Sequence, residues 1–470
     1  MTHSKYILIL FFGALVSCKI SKDVVTADLQ LPHNYKSDTL IRDTSNIARL
    51  KWKEFFLDEP LQKIIGAALA KNNNIQLALE NIEAAQLRLA QAKWKNIPTL
   101  NFNISGGSTR PSENSLTGLS LKQNGINQTH FEDYTTSLSV SWEVDIWGKI
   151  RNQKAETLAA YLQTQEAHKA VQVLLISEIS KGYYNLLMLH EQLSIAKKNL
   201  ELSNNTLRII KLQFESGDAT LLAINQAEAQ NQAFKSLIPQ LQQSINITEN
   251  AISVLGGNFP QEILSMSKLA DIDLPNELAT GIPADLLTLR PDVKAAELEI
   301  TRSNYRVGYT KAAMYPSFTI TAQSGINALS ASNWFNIPAS LFGITAAGVT
   351  QPLLIHKELK TNYELAKIDR EKSVVRFRHQ IIVAVSEVSD ALVKIDRLKE
   401  RQLSANNRVN TLNQAIDNAQ VLFQNGMANY LEIITAQSSA LESQLNLSTI
   451  KKEQLDAMVD LYKSLGGGVN

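Results

Sequence analysis

The chain has 470 residues, with 46 lysines and arginines against 45 aspartates and glutamates, so its formal net charge is +1. A balanced charge gives no reason to expect nucleic acid as a partner. The single cysteine excludes an internal disulfide. No apolar run beyond the N-terminus reaches the roughly 18 residues of a membrane-spanning helix, so no such helix is expected.

The N-terminus predicts a lipoprotein signal peptide. His3 and Lys5 precede an apolar run over residues 6–16, which is too short to span a bilayer and is typical of a secretory signal. The run ends in Leu-Val-Ser-Cys, which resembles a lipobox, the bacterial signal for cleavage before the cysteine and acylation of its thiol. We therefore expect a signal peptide at residues 1–17 and lipidation of Cys18.

A lipidated N-terminal arm is expected to follow the signal peptide. Residues 18–59 carry scattered charges and a proline, which favours an extended segment leading to the first helix. The residue after the cysteine is Lys19 rather than aspartate. The usual sorting rule for bacterial lipoproteins then predicts the outer membrane.

The rest of the chain contains one long unit twice. The segment 214–222 returns as 423–431, shifted by 209 residues, and the Leu-Gly-Gly of 255–257 returns at 465–467. This period is far longer than the ~20–50 residues of solenoid repeats, so we infer two copies of a large module. The predicted boundaries are a first structural repeat at 60–257, a linker at 258–290 and a second structural repeat at 291–470.

Two short strands are predicted in each copy. From Tyr134 to Asp145 apolar and polar residues alternate strictly, which places one face of a strand in an apolar medium and the other in water. The alternation recurs at 99–106 and 317–323, and more weakly at 341–353. Strands of about ten residues with this pattern suit an outer-membrane barrel. The alternative is an ordinary half-buried hairpin in a soluble domain.

Two long helices are predicted after the strands of each copy. Apolar residues recur in steps of three and four over four segments, which is typical of heptad seams; the segments are 186–214, 224–255, 395–423 and 433–461. Each pair of segments is interrupted by a glycine, Gly217 or Gly426, so we expect two long antiparallel hairpins. A single helix over residues 149–215 would be about 100 Å long at ~1.5 Å per residue.

Four strands per chain limit how a barrel can close. A transmembrane barrel needs at least about eight strands, and an open sheet edge cannot face lipid because its backbone groups would lack partners. If the strands lie in a membrane, several chains must share one barrel. Two chains would supply eight strands and three would supply twelve.

Three segments carry a family resemblance. Residues 142–151, Trp-Glu-Val-Asp-Ile-Trp-Gly-Lys-Ile-Arg, resemble the strand-to-helix signature of the TolC family of outer-membrane efflux ducts. Residues 283–297, which include Arg-Pro-Asp at 290–292, and residues 426–437, which end in Ala-Gln, resemble two further motifs of that family. With the lipobox, the chain is most similar to the NodT-type lipoproteins of RND efflux systems, over about residues 50–468.

The resemblance implies a mostly α-helical fold with long antiparallel coiled-coil hairpins. Three chains would form a homotrimer whose 12-stranded outer-membrane β-barrel, four strands per chain, continues as a periplasmic α-barrel, with residues 258–290 in an equatorial belt. The implied partners are a periplasmic adaptor (membrane fusion) protein, an inner-membrane RND pump and outer-membrane lipid. The implied function is passive conduction of drugs or other small toxic compounds from periplasm to exterior, with no cofactor and no enzyme activity.

The same resemblance assigns mechanical roles to particular residues. The periplasmic gate falls on Leu431, Glu432 and Thr435, and three copies of Glu432 would form a carboxylate ring that favours cations. The family often has aspartate where this chain has Thr435. The other implied positions are adaptor docking at Ser216, Gly217, Asp218, Asn425, Gly426 and Met427, and a strand-to-helix turn at Trp147 and Gly148.

Some alternatives stay open. The second-copy counterpart of Trp147-Gly148 is Ile355-His356, without the usual glycine, so that turn is expected to differ. The same fold could serve a type I polypeptide exporter or a heavy-metal efflux system. A lipid-anchored coiled-coil scaffold without a pore would leave the alternating strands unexplained.

The seven histidines show no metal-ligand spacing, and no metal site is predicted.

Overall fold

A computed structural model describes residues 50–125, 130–264, 266–272, 285–353 and 355–468. The predicted signal peptide, Cys18 and most of the predicted arm therefore lie outside the described residues. Among the helices of those ranges, none combines the length and the apolar character needed to cross a membrane.

The element order of the chain recurs in its two halves. The first half contains α1 (Trp52–Phe55), α2 (Glu59–Lys71), α3 (Asn73–Trp94), β1 (Thr99–Thr109), α4 (Leu116–Gln123), β2 (Phe131–Val144), α5 (Lys149–Glu215) and α6 (Leu221–Leu255). The second contains α7 (Leu286–Leu289), α8 (Pro291–Ala312), β3 (Ser317–Ala328), β4 (Leu341–Thr350), α9 (Glu358–Gln424) and α10 (Tyr430–Ser464). Single 3₁₀ turns lie at Leu269–Asp271 and Ala331–Asn333.

The long helices match in length between the two halves. α5 and α9 each have 67 residues, and α6 and α10 each have 35. The predicted single helix over 149–215 is confirmed, and it spans about 100 Å at ~1.5 Å per residue.

The described residues divide into two compact units. Residues 84–161 and 298–374 form a sheet unit, and the remaining described residues form a helical unit. The boundaries predicted from the sequence repeat divide the chain into consecutive segments, whereas each of these units combines segments from both repeats. The predicted boundaries therefore stay a prediction.

The sheet unit holds all four strands in one antiparallel sheet with the order β1-β2-β3-β4. Thr99 lies opposite Ser141, and Ser317 lies opposite Thr350. β4 ends at Thr350, earlier than the predicted 353, two residues before a proline that could not donate to the ladder. β1 and β3 extend beyond the predicted limits of 106 and 323. The segment between β1 and β2 contains α4, which was not predicted.

One face of this sheet is apolar, as the alternation predicted. Leu100 pairs with Val140, and Phe102 pairs with Leu138, so these directly opposed side chains lie on the same face. Phe102 is 67% exposed in the single chain. Large apolar side chains that the described residues leave exposed in a row are typical of a surface that contacts a partner or lipid.

The helical unit has its core where α2, α5 and α10 pack together. Its fully buried members come from all three helices: Leu61, Ile65, Ile176, Ile179, Tyr183, Val459 and Tyr462. Along the hairpin of α5 and α6, a second cluster follows the predicted heptad seam: Leu186, Leu189, Ala196, Leu241, Ile245 and Ile252. The seam prediction for this hairpin is therefore confirmed.

The repeated Leu-Gly-Gly segment ends both hairpins at a close backbone contact. A Cβ on Gly257 would lie 2.4 Å from the carbonyl oxygen of Lys71, and one on Gly466 would lie 2.6 Å from that of Leu289. Both glycines also have positive φ, 68° and 115°. Glycine is therefore required for steric reasons at the second glycine of the first segment and at the first glycine of the second segment.

Candidate functional site

The turn after α5 is a glycine-terminated helix end. Gly217 has φ of 85°. The N–H of Asp218 donates to the carbonyl oxygen of Gln213 at 2.8 Å, and the N–H of Gly217 donates to that of Phe214 at 3.1 Å. This pair of bonds is the Schellman motif, which satisfies the last carbonyl groups of a helix.

The turn after α9 repeats this geometry bond for bond. Gly426 has φ of 70°. The N–H of Met427 donates to the carbonyl oxygen of Leu422 at 2.9 Å, and that of Gly426 donates to Phe423 at 3.1 Å. The two hairpin turns recognised from sequence therefore have one common structure.

The helix that follows each turn begins with a side-chain cap. Thr220 Oγ1 accepts from the N–H of Ala223 at 3.3 Å. Asn429 Oδ1 accepts from the N–H groups of Leu431 and Glu432 at 2.9 and 3.3 Å. Such caps satisfy N–H groups that have no partner inside the helix, so both tips are short and well defined.

The two tips pack against each other at one end of the helical unit. Ile210, Ala223 and Ala227 from the first hairpin form one buried cluster with Phe423 and Ile433 from the second. The residues predicted to dock an adaptor all lie exposed on these tips: Ser216, Gly217, Asp218, Asn425, Gly426 and Met427. The structure thus brings together predicted positions that are about 200 residues apart in sequence.

The predicted gate residues lie on one exposed face in the first turns of α10. Leu431 is 52% exposed, and Glu432 and Thr435 are also exposed. Ile433 and Gln437, on the opposite face, are buried. The Glu432 carboxylate lies in the first turn of the helix, near the positive end of the macrodipole, where a negative charge is favoured. The carboxylate is therefore both exposed and favourably placed on its helix.

The predicted strand-to-helix turn before α5 is fixed by a glycine and by the side chain of Trp147. Gly148 has φ of 76°, a backbone conformation that other residues resist. The ring of Trp147 stacks on that of Tyr315 at 4.9 Å, and its Nε1 donates to the carbonyl oxygen of Pro316 at 2.8 Å. The rigid indole therefore anchors the turn to the segment that precedes β3.

An acid that sequence analysis did not single out caps the same helix. Asp145 Oδ1 accepts from the N–H of Ile150 at 3.0 Å, and Oδ2 accepts from that of Arg151 at 2.9 Å. The signal was present in the motif at 142–151, because an aspartate shortly before a predicted helix start is typical of a cap.

The second strand-to-helix turn keeps the left-handed backbone without glycine. His356 has φ of 52° and Lys357 has φ of 63°. The counterpart of Asp145 at the same shift is Leu353, which has no acceptor for the N–H groups at the start of α9. The two turns therefore differ in the residue that precedes the helix and not in the sign of φ. A residue other than glycine with positive φ costs about 1–3 kcal/mol.

The Arg-Pro-Asp motif forms a buried brace in the helical unit. Arg290 is 5% exposed and donates to both carboxylate oxygens of Asp292 at 2.9 and 2.5 Å, to Glu387 Oε2 at 2.7 Å, and to the carbonyl oxygen of Ser464 at 3.1 Å. Burial alone lowers the pKa of Arg290, but its contacts with the two carboxylates raise it above the ordinary value. Burial raises the pKa of Asp292, but the hydrogen bonds from Arg290 bring it below the ordinary value.

Nothing in the described ranges resembles a metal centre, since no three histidine, cysteine or acidic side chains converge there.

Comparison with known proteins identifies the architecture. Residues 64–258 and 282–467, most of the chain, match the family described as "Outer membrane efflux protein". The chain belongs to this family. It is an outer-membrane efflux channel rather than an enzyme, so the predicted family, location and channel function are confirmed.

Individual relatives match along nearly their whole length. The chain is 27% identical over 464 residues to the cation efflux system protein CusC of Escherichia coli strain K12, covering 97% of each chain. It is 28% identical over 423 residues to the solvent efflux pump outer membrane protein SrpC of Pseudomonas putida, covering 89% of this chain and 87% of SrpC.

The fold also matches a solved channel. A crystal structure of CusC, a protein described as forming a transmembrane channel, superposes with a TM-score of 0.84 at 25% identity. The match covers 96% of this chain and 100% of the CusC chain. The predicted fold class, mostly helical with four strands, is confirmed.

Proposed function

We propose that the protein is the exit duct of a tripartite RND-type efflux system that passively conducts drugs or other small toxic compounds from the periplasm to the exterior. The observation that carries the proposal is the shared end of the two hairpins, where Leu431, Glu432 and Thr435 form an exposed face beside two turns with the same hydrogen-bond motif. A passive duct needs a pore, a gate and a docking surface, and these positions supply candidates for the last two. The exposed tips at 216–218 and 425–427 would receive the periplasmic adaptor.

The sheet supports assembly of three chains into one barrel. Within the described residues, β1 and β4 each pair with a single neighbour, and the face that carries Phe102 is apolar and uncovered. Pairing β4 of one copy with β1 of the next removes the open edges that lipid cannot satisfy. Three copies would close twelve strands, and lipidation at Cys18 would add an anchor to the same membrane.

The assembly is tested by native mass spectrometry and negative-stain imaging of the detergent-purified, lipidated protein. We expect a trimer with a long hollow outline. A monomer, or an elongated dimer without a lumen, would contradict the duct and favour a coiled-coil scaffold. A Cys18→Ala variant with its signal peptide exchanged for a non-lipoprotein one separates the contribution of the anchor from that of the barrel.

Export of heavy-metal cations is a second candidate, favoured by the similarity to CusC along almost the whole chain. The two cargo classes are separated by deleting the gene and measuring growth inhibition by organic solvents and antibiotics, and by copper, silver and zinc salts. Sensitivity to organic compounds alone, restored by the wild-type gene, supports the drug duct. Sensitivity to metal salts alone moves the assignment to cation export.

A further inference from the structure

The strand register shows which side chains lie on the face of the sheet opposite to Phe102. Successive side chains of a strand point to opposite faces, so Asn101 and Asn103 of β1 lie on this second face. Directly opposed residues of an antiparallel pair share a face, so the register extends both positions across the sheet. The first row is Asn101, Ser139, Gln323 and Ile344, and the second row is Asn103, Ser137, Gly325 and Phe342.

On this second face, β4 differs from the other three strands. In these two rows β1 and β2 contribute only asparagine and serine, and β3 contributes glutamine and glycine. From β4, the residues on the same face are Phe342, Ile344, Ala346 and Gly348, which we call the β4 stripe. Leu341 and Val349, on the other face of β4, are apolar as well. This strand is therefore apolar on both faces, which is why its alternation was weak in the sequence.

The β4 stripe is open within the described part of the chain. Ile344 is 57% exposed, and Phe342 lies opposite Gly325, which has no side chain. In the first copy the strand that precedes the long helix is β2, and its residues on this face include serines at 137, 139 and 141. An apolar stripe is therefore a property of the β4 sequence and not of the strand's place in the module.

The same face carries little charge. Within the described strands its acids are Asp133 and Glu143, which lie near the two ends of β2. Asp133 Oδ1 accepts from Asn327 Nδ2 at 2.6 Å, and Glu143 pairs with Lys149 at 2.9 Å. Between these two ends the polar side chains of the face are neutral hydroxyl and amide groups. A metal cation would meet no carboxylate there, whereas an apolar molecule in water gains free energy by contact with an apolar surface.

We propose that the β4 stripe is a contact surface for lipophilic organic cargo on the wall of the duct, with Phe342 and Ile344 as its main residues. The proposal rests on the proposed function, because it takes the face of Phe102 as the lipid face and the opposite face as the lumen. Three chains would place three stripes around the pore, separated by polar strands. Conduction requires contact that is favourable enough for entry and weak enough for release, and two apolar side chains on an open wall offer contact of this kind.

The test compares two pore blockers that have the same charge and differ in apolar surface. Tetramethylammonium and tetrabutylammonium each carry one positive charge, and only the second has long alkyl chains. The salt current through purified trimers in planar bilayers is measured while either ion is added on both sides. We expect tetrabutylammonium to halve the wild-type current at a lower concentration than tetramethylammonium, because its alkyl groups contact the β4 stripe.

Two variants make the stripe polar. Ile344→Asn replaces an apolar side chain with a polar one of similar size, and Phe342→Gln removes the aromatic ring. Each is expected to raise the half-blocking concentration of tetrabutylammonium by about fourfold, the effect of losing the burial of about one methylene group. The half-blocking concentration of tetramethylammonium is expected to stay unchanged in both variants, because this ion has little apolar surface to bury.

Two matched variants separate apolar contact from a change in the shape of the pore. Ile344→Val keeps an apolar side chain in the stripe and is expected to retain wild-type block by tetrabutylammonium. Thr321→Asn places the same amide on the same face, in β3 opposite Ala346, and it is also expected to retain wild-type block. An equal loss of block in Thr321→Asn and Ile344→Asn would overturn the proposal, since any amide added to the wall would then be sufficient.

The other outcomes distinguish failure of the stripe from failure of the duct. If wild-type trimers conduct, and Ile344→Asn and Phe342→Gln leave block by tetrabutylammonium unchanged, the stripe is not a contact surface and the duct stands. If these variants instead lower the yield of detergent-stable trimer and the remaining trimers keep wild-type block, the stripe is an interface between copies and the proposal is wrong. If neither wild type nor Glu432→Ala carries current, the proposed duct fails and the stripe fails with it.

Discussion

Arg290 shows what a motif in the sequence reveals and what it conceals. The Arg-Pro-Asp segment stands out in the sequence as part of a family resemblance. Within it, Arg290 forms an ion pair with Asp292. Its other partners, Glu387 and the carbonyl group of Ser464, lie 97 and 174 residues away in sequence. These contacts depend on how three segments pack, and no local pattern predicts them.

Arg290→Ala is expected to destabilise the helical unit by about 2–3 kcal/mol, because several hydrogen bonds between charged groups are lost at once and the carboxylates keep some access to water. The apparent midpoint of thermal unfolding in detergent measures the effect. Arg397→Ala removes an exposed pair with Glu400 on α9, which is expected to contribute little. Equal midpoints for the two variants would contradict the brace.

The carboxylate of Asp292 makes this brace sensitive to acid. Its pKa in the folded protein lies below the ordinary value of 3.8 because of the hydrogen bonds from Arg290. A lowered folded pKa supplies stability that is present above the unfolded value and is lost as the pH falls through the folded value. Wild type is therefore expected to exceed Asp292→Asn in unfolding midpoint at neutral pH, and the two curves are expected to converge below about pH 4. A constant difference down to pH 3 would exclude this linkage.

Among the secondary-structure elements, those with a periodic pattern of apolar residues are predicted best from the sequence. The four long helices follow sustained heptads, and β2 follows a strict alternation, so both were predicted with their type and approximate length. The helix α4 was missed, because its eight residues carry no clear apolar face and its start depends on a local cap in which Ser115 accepts from the N–H of Gly118. Short elements held by single caps lack a periodic signal.

The two strand-to-helix turns provide a matched pair of substitutions. His356→Gly is expected to stabilise the sheet unit by about 0.5–2 kcal/mol, because relief of left-handed strain exceeds the added backbone entropy of glycine. Gly148→Ala at the equivalent position is expected to destabilise it, since alanine resists φ of 76°. Limited proteolysis and thermal midpoints of the two variants check the prediction. A loss of stability in His356→Gly would mean that the imidazole makes a contact worth more than the strain.

At the scale of the whole protein, the two halves share an architecture but not a function. Both copies contain a strand pair and a hairpin of 67- and 35-residue helices, and the same turn motif joins the two helices of each hairpin. The predicted gate residues Leu431, Glu432 and Thr435 belong to the second copy, where the first copy has Leu222, Ala223 and Gln226 at the shift of 209. Duplication therefore repeats the architecture, and the side chains at the two tips differ between the copies.

Assembly in the membrane can be tested on a single strand, because neighbouring residues of β1 face opposite sides of the sheet. Phe102 and Asn103 are both exposed in the single chain, so lysine at either position would be tolerated if the sheet remained in water. If the apolar face contacts lipid, Phe102→Lys costs about 2–4 kcal/mol per chain near the bilayer midplane, whereas Asn103→Lys faces the lumen. We expect Phe102→Lys to reduce the yield of folded outer-membrane trimer sharply and Asn103→Lys to leave it unchanged. Equal yields of the two variants would mean that this sheet does not form a membrane barrel, and they would contradict the proposed duct.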